Sequence, residues 1–223
     1  RGEAYGRRAV RYADANRTNT LMGLAVLAFA AGFSAVPGGP AAPNVLLGSA
    51  TAFAVALVLL RIGVLPVSVA AVAFTMPTMV ATVAASMWSV ALASTGVATT
   101  VAAFVVLSAA PRCAVTVAGL TPRSATVTDG DPQRIELAQR VLTAMVVGAA
   151  AAAAAGAVVV AMGAVHESRT STVVFIWVAT AAIALRAPSY RHPARRWAVM
   201  VAGMVCTTAA LVVTAMAFPG WAA

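Results

Sequence analysis

Long apolar runs separated by short polar or proline-rich segments dominate the chain. An α-helix needs about 20 mostly apolar residues to cross the hydrocarbon core of a bilayer. The charge-free stretch 62–110 is long enough for two such helices. The pattern therefore predicts an all-α fold, a polytopic transmembrane helical bundle of about seven spans. The spans are predicted near residues 20–36, 44–60, 64–83, 90–110, 141–165, 171–185 and 197–218.

The segments between the spans carry the polar residues. Residues 1–19 contain no proline and carry Tyr5, Ala9, Tyr12 and Ala13 at helical spacing, which predicts a cytoplasmic lead-in helix before the transmembrane domain 20–223. The predicted cytoplasmic loop 111–140 contains Asp131-Pro132, a favourable helix start. A helix that begins there would pair Glu136 with Arg140 and continue without a break into the span 141–165.

The composition excludes a water-soluble domain. Apolar residues make up 61% of the 223 residues and charged residues only 9%, against about 25% in a typical soluble domain. So few charges cannot cover a surface that faces water. The class is therefore a multi-pass membrane protein.

The net charge of +9 comes from arginines whose positions predict the orientation of the chain. Of 15 arginines, 14 lie in 1–19, at Arg61, in 111–140 or in 186–196, and only Arg169 lies on the other side of the predicted bilayer. Positively charged loops stay on the cytoplasmic side. We therefore predict the amino end on the cytoplasmic side of the membrane and the carboxyl end on the opposite side, and no nucleic-acid partner.

The residues suited to catalysis or metal binding are scattered. His166 and His192 fall on opposite sides of the predicted bilayer, and Cys113 and Cys206 belong to no metal-binding motif. No ionisable residue lies well inside a predicted span, which argues against a proton relay in this segment. We predict no enzyme activity, no catalytic residue, no metal and no cofactor.

Two other features are candidates for contacts. The loop between the last two spans predicts a partner-contact surface formed by Arg186, Tyr190, Arg191, Arg195 and Arg196. Glycines in the fifth span predict a helix-packing face, with chance spacing in a glycine-rich chain as the alternative. These glycines are Gly148, Gly156 and Gly163.

Hydroxyl groups concentrate in the third and fourth spans, from Thr75 to Thr100. They could line a hydrated pathway. The interpretation we favour is that they bond to carbonyls of their own helix or across a helix pair.

Two stretches carry a family resemblance. One runs from Ala109-Ala110-Pro111-Arg112 to Leu120 and, after a polar loop, continues from Arg134 to Thr143; the other runs from Ala184 to Gly203. Both are similar to EccD, the integral membrane subunit of the mycobacterial type VII (ESX) secretion system. The resemblance implies a non-catalytic scaffold or channel-forming subunit in the bacterial inner (cytoplasmic) membrane, with the carboxyl end of the chain in the periplasm. It also implies EccB, EccC, EccE and a second EccD copy as partners, with membrane lipid around them.

EccD proteins carry a cytoplasmic ubiquitin-like domain and eleven membrane helices, which implies that more chain lies upstream of Arg1. A carboxy-terminal piece that lacks four helices would keep the predicted orientation, because four is an even number. The alternative function is a stand-alone secondary transporter or permease for a small solute. Such a protein would bind its solute at mid-membrane depth, and the break at Pro77 is the candidate for that site. A membrane-embedded enzyme ranks last.

Overall fold

The computed structural model describes residues 20–35, 42–61, 65–87, 92–119, 132–164, 169–190 and 192–218, apart from positions 22 and 26. The predicted lead-in helix 1–19 lies outside these residues. The described part contains seven α-helices and one 3₁₀ turn, Ala187–Ser189, between the last two. The helices are α1 (20–34), α2 (Ala42–Arg61), α3 (Leu65–Met87), α4 (Leu92–Val117), α5 (Pro132–Gly163), α6 (Arg169–Arg186) and α7 (Pro193–Ala217).

Four of these helices are long and apolar enough to cross a membrane. Their apolar segments are Ser68–Ala85, Ala93–Val117, Gln133–Gly163 and Pro193–Ala217. Shorter apolar segments lie in the other three helices, at Gly23–Ser34, Pro43–Leu59 and Thr170–Arg186. The predicted class, a helical membrane bundle, is confirmed. The 18 residues of α6 give a length of about 27 Å, just short of the roughly 30 Å hydrocarbon core.

Helix α4 continues past the end of the predicted fourth span. It passes through Pro111, which is exposed, and ends at Val117, inside the segment assigned to a loop. Ala114 and Ala118, about one and two turns further along, are buried in the bundle. Packing of these two alanines holds the last turns helical, although Pro111 removes one backbone hydrogen bond.

Helix α5 occupies the centre of the bundle. It begins at Pro132, as the Asp131-Pro132 pair predicts, and runs for 32 residues or about 48 Å. It packs against α3, α4 and α7, while α6 packs mainly against α7. Its first turns are exposed, whereas Val146, Ala152 and Val160 are fully buried. The main hydrophobic core therefore surrounds the carboxyl-terminal two-thirds of α5.

Helices α1 and α2 pack closely against each other at the side of α3. The Thr51 hydroxyl of α2 donates to the Ala28 carbonyl oxygen of α1 over 2.8 Å, and the Asn44 amide donates to the Phe33 carbonyl oxygen over 2.9 Å. The close approach leaves no room for a Cβ on Gly48, which would lie 2.9 Å from the Phe29 carbonyl oxygen. Hydrogen bonds between helices thus supplement packing where lipid gives little hydrophobic drive.

Candidate functional site

The candidate loop between α6 and α7 is short because prolines fix both of its ends. After Arg186, the turn Ala187–Ser189 contains Pro188, and the Tyr190 amide donates to the Ala187 carbonyl oxygen. His192 is extended, and Pro193 then starts α7 at a position where a missing amide hydrogen costs nothing. This turn lies at the end of the bundle where α4 and α6 finish and α5 and α7 begin. We call this whole end of the bundle the basic end.

Arg195 points into the bundle, where it binds α5. Its Nε donates to the Thr143 hydroxyl over 2.9 Å, and its Nη2 donates to the Gln139 carbonyl oxygen over 3.0 Å and to the Gln139 side-chain oxygen. The residue is only 8% exposed. Among the described residues the guanidinium has three neutral acceptors and no carboxylate, so Arg195 fastens the start of α7 to α5 through charge-assisted hydrogen bonds.

Arg186 makes a second connection, from the end of α6 to α4. Its Nη2 donates to the Ser108 hydroxyl over 2.7 Å, and its Cζ lies 5.9 Å from the centre of the Phe104 ring. The Ser108 hydroxyl in turn donates to the Phe104 carbonyl oxygen of its own helix. A hydrogen bond and a cation–π contact therefore hold one guanidinium against α4.

The remaining residues of the predicted contact surface differ in their surroundings. Arg196 is exposed, and Tyr190 is half-buried against the main core. Arg191 lies outside the described residues. The loop arginines thus divide into two that bind other helices, Arg186 and Arg195, and one, Arg196, that faces outward.

The two partners of Arg195 on α5 were not predicted from the sequence. Gln139 and Thr143 lie four residues apart on one face of α5, and Thr143 donates to the Gln139 carbonyl oxygen over 2.7 Å. That spacing was a local signal of a polar pair. Nothing in it indicated an arginine more than 50 residues away.

Exposed positive charge accumulates at the basic end. Among the described residues the sole acid is Glu136, and its Oε1 accepts a hydrogen bond of 2.6 Å from Arg140, which confirms the predicted pair. Arg112, Arg134 and Arg196 are also exposed and have no acidic partner within the described ranges. This end of the bundle is therefore suited to an anionic surface or partner.

The three glycines of α5 lie where neighbouring helices approach its backbone. A Cβ on Gly148 would collide with the Ala70 carbonyl oxygen of α3, and one on Gly163 would collide with the Ala93 backbone of α4. At Gly156 a Cβ would lie 2.9 Å from both the Gly96 carbonyl oxygen and the Thr100 amide nitrogen. These separations are shorter than ordinary van der Waals contact, so each of the three sites has room for hydrogen alone.

The buried hydroxyls of α3 and α4 bond to their own helices. The Thr75 hydroxyl donates to Ala71, Thr82 to Thr78, and Thr100 to Gly96, in each case to a carbonyl oxygen at 2.8 to 2.9 Å. Side chains bonded in this way are satisfied without water. The interpretation as intrahelical hydrogen bonds is therefore confirmed for these threonines.

One family model and a solved structure are similar to this chain. The model of the EccD-like transmembrane domain matches residues 4–223. Among solved structures, protomer 1 of the ESX-3 core complex is similar, with a TM-score of 0.67 and 22% sequence identity. The match covers 88% of this chain and 48% of the matched chain in that structure, so this chain spans about half of the matched chain's length. At this identity the structural match shows a shared fold.

A search of curated proteins finds no match. The family model, however, covers nearly all of the sequence, including both stretches that carry the resemblance to EccD. The chain therefore belongs to the family of EccD-like transmembrane domains.

Proposed function

We propose that this chain is a non-catalytic scaffold or channel-forming subunit of a type VII (ESX) secretion complex in the bacterial inner membrane. The observation that carries the proposal is the match of the EccD-like transmembrane domain over residues 4–223. The similar solved structure is a protomer of a core complex, which supports a role within a larger assembly. Family membership favours this role over a stand-alone transporter.

The packing of the bundle supports a scaffold role. Helix α5 meets its neighbours at glycines that leave no space for a side chain, and Arg195 and Arg186 fasten the last two helices to α5 and α4. Contacts of this kind resist sliding of one helix past another, because both backbone separation and polar geometry are fixed. A rigid bundle is what a subunit that positions other proteins requires.

Outward-facing apolar side chains on α6 and α7 give the bundle surface for lipid or for other subunits. Each of the following side chains is more than half exposed on the surface of the bundle: Val178, Leu185, Trp197, Met204 and Leu211. The expected partners are EccB, EccC and EccE and a second EccD copy. Arg196 is exposed and is suited to contact a cytoplasmic partner. Arg191, which the sequence predicts on the same surface, is expected to contribute to that contact.

Co-purification tests the proposal most directly. The full-length protein, tagged in its native host and extracted in a mild detergent, is expected to migrate as a large complex with other subunits, and its depletion is expected to stop export. Recovery as a small single-protein species, with export unchanged after depletion, would contradict the proposal. Solute uptake by proteoliposomes that contain the purified protein alone would support a transporter instead.

The orientation of the chain requires its own experiment. We propose that the basic end faces the cytoplasm, because 14 of the 15 arginines belong to segments on that side. A cysteine at exposed His192 should react with a membrane-impermeant maleimide only in inverted vesicles, and a cysteine at Phe218 only in intact spheroplasts. The reverse pattern would show the opposite orientation.

Substitution of Arg196 tests the partner contact. Arg196→Glu reverses an exposed charge at the basic end and is expected to reduce recovery of the complex while leaving the level of the folded protein unchanged. The matched control is Arg61→Glu, which reverses an exposed arginine at the end of α2. Equal recovery of the complex from both variants would remove Arg196 from the interface.

A further inference from the structure

A groove runs along the outer face of α4 toward the basic end. It is a shallow, open groove with a volume of about 530 Å³, lined by Val101, Phe104, Val105, Ser108, Ala109 and Arg112. These positions recur every three or four residues, so they form one stripe along the helix. Val101 is 50% exposed and Val105 is 63% exposed, so the middle of the groove is apolar and open.

Two guanidinium groups border the groove at its basic end. Arg112 lines the groove, is exposed, and makes no side-chain hydrogen bond or ion pair with the described residues. Arg186 binds Ser108, another lining residue, and stacks over Phe104. Arginine presents its donors in a planar fork that matches the oxygens of a phosphate. With the described carboxylate of Glu136 already paired to Arg140, this end attracts an anion.

The length of the stripe corresponds to the depth of one leaflet. Eleven residues separate Val101 from Arg112, which is about 16 Å along the helix axis. Half of the hydrocarbon core of a bilayer is about 15 Å thick. The groove therefore has its cationic end at headgroup level and its apolar end near the bilayer centre, which is the arrangement of charge and acyl chain in a phospholipid.

We propose that this groove binds an anionic phospholipid. The phosphate lies between Arg112 and Arg186, and one acyl chain lies along Val101, Phe104 and Val105. A net negative headgroup is preferred, because the positive group of a zwitterionic headgroup would be repelled by the two guanidiniums, neither of which has a carboxylate partner among the described residues. The orientation proposed above places the site in the cytoplasmic leaflet. The lipid site itself does not depend on a role in secretion.

Lipid retention by the full-length protein, in whatever complex it forms, tests the proposal. In native mass spectrometry after detergent exchange, dioleoylphosphatidylglycerol is expected to bind more tightly than dioleoylphosphatidylcholine. Arg112→Gln should weaken phosphatidylglycerol binding about tenfold, the effect of losing a charge-assisted hydrogen bond. The control Arg61→Gln removes an exposed arginine away from the groove and should change binding less than about twofold. Equal binding of the two lipids, or equal effects of the two substitutions, would overturn the proposal.

A second pair of variants tests the apolar part of the groove without altering charge. Val105→Trp fills the groove and should weaken phosphatidylglycerol binding, whereas Val178→Trp, at a similarly exposed position on α6, should not. Inorganic phosphate in excess should fail to displace the lipid, because it has no acyl chain; displacement would show a simple anion site and overturn the proposal.

A photo-crosslinking amino acid at position 105 distinguishes a lipid from a protein occupant in cells. An adduct with phospholipid supports the lipid site. An adduct with another polypeptide would show that a neighbouring subunit or a second copy covers the groove, and it would overturn the proposal.

Discussion

Replacement of Arg195 by alanine removes the contact that joins the start of α7 to α5. The substitution deletes the hydrogen bonds to Thr143 and to the backbone and side-chain oxygens of Gln139. It also deletes the apolar stem of a side chain that is 8% exposed. We expect the loss to lower the free energy of unfolding without disturbing the apolar core, because Arg195 lies at the end of the bundle.

The magnitude depends on which acceptors regain water. A hydrogen bond from a charged donor contributes roughly 1.5–3 kcal/mol, and three of them would give an upper limit of about 9 kcal/mol. Gln139 is exposed, so both of its oxygens can bind water once the guanidinium is gone, whereas Thr143 is half-buried. The net loss should therefore be close to that of one such bond, about 2–3 kcal/mol.

Thermal unfolding of the full-length protein in a mild detergent provides the assay. In a chain of this size about 1 kcal/mol corresponds to roughly 2–4 °C, so Arg195→Ala should lower the apparent Tm by about 4–12 °C. Arg195→Lys keeps the charge but loses the planar fork of donors, so its apparent Tm should fall between those of the wild-type protein and Arg195→Ala. Arg196→Ala, one residue away and exposed, should change stability by less than about 0.5 kcal/mol. Equal shifts for Arg195→Ala and Arg196→Ala would refute the assignment of Arg195 as the fastening residue.

Other substitutions test packing within the membrane, with the same thermal assay. Gly156→Ala should destabilise the protein by about 1–3 kcal/mol, because the added Cβ would meet backbone atoms at 2.9 Å. The control Gly203→Ala should be neutral or stabilising by up to about 1 kcal/mol, because its Cβ would lie 3.5 Å from Ile183. A loss of stability in both variants would contradict this reasoning. Trp177→Phe removes the hydrogen bond of 3.1 Å between α6 and α7 that the indole Nε1 donates to the Thr214 hydroxyl. The substitution should lower the free energy of unfolding by about 1 kcal/mol. An unchanged Tm would show that this bond contributes nothing.

Helix positions could be predicted well, and helix ends less well. The start of α5 at Pro132 and the pair of Glu136 with Arg140 were predictable, because capping and i,i+4 contacts involve neighbours in sequence. The continuation of α4 through Pro111 was not predictable, because it depends on the burial of Ala114 and Ala118 against other helices. Local propensity gives way there to tertiary packing.

The candidate loop shows the same division at the level of single side chains. Arg195 and Arg196 are adjacent and chemically identical, so charge and spacing predicted one surface that contains both. Successive residues of a helix point about 100° apart. One guanidinium therefore enters the bundle and binds Gln139 and Thr143, while the other faces outward.

The sequence by itself determined that the chain is a helical membrane bundle. A bilayer leaves backbone polar groups no water to bind, so long apolar runs must form helices, and charged loops must lie outside the bilayer. Tertiary structure alone decided which arginines are held inside and that the glycines of α5 meet the backbones of α3 and α4. These contacts join residues far apart in the chain, and the distances between them are set by how whole helices pack rather than by any local pattern.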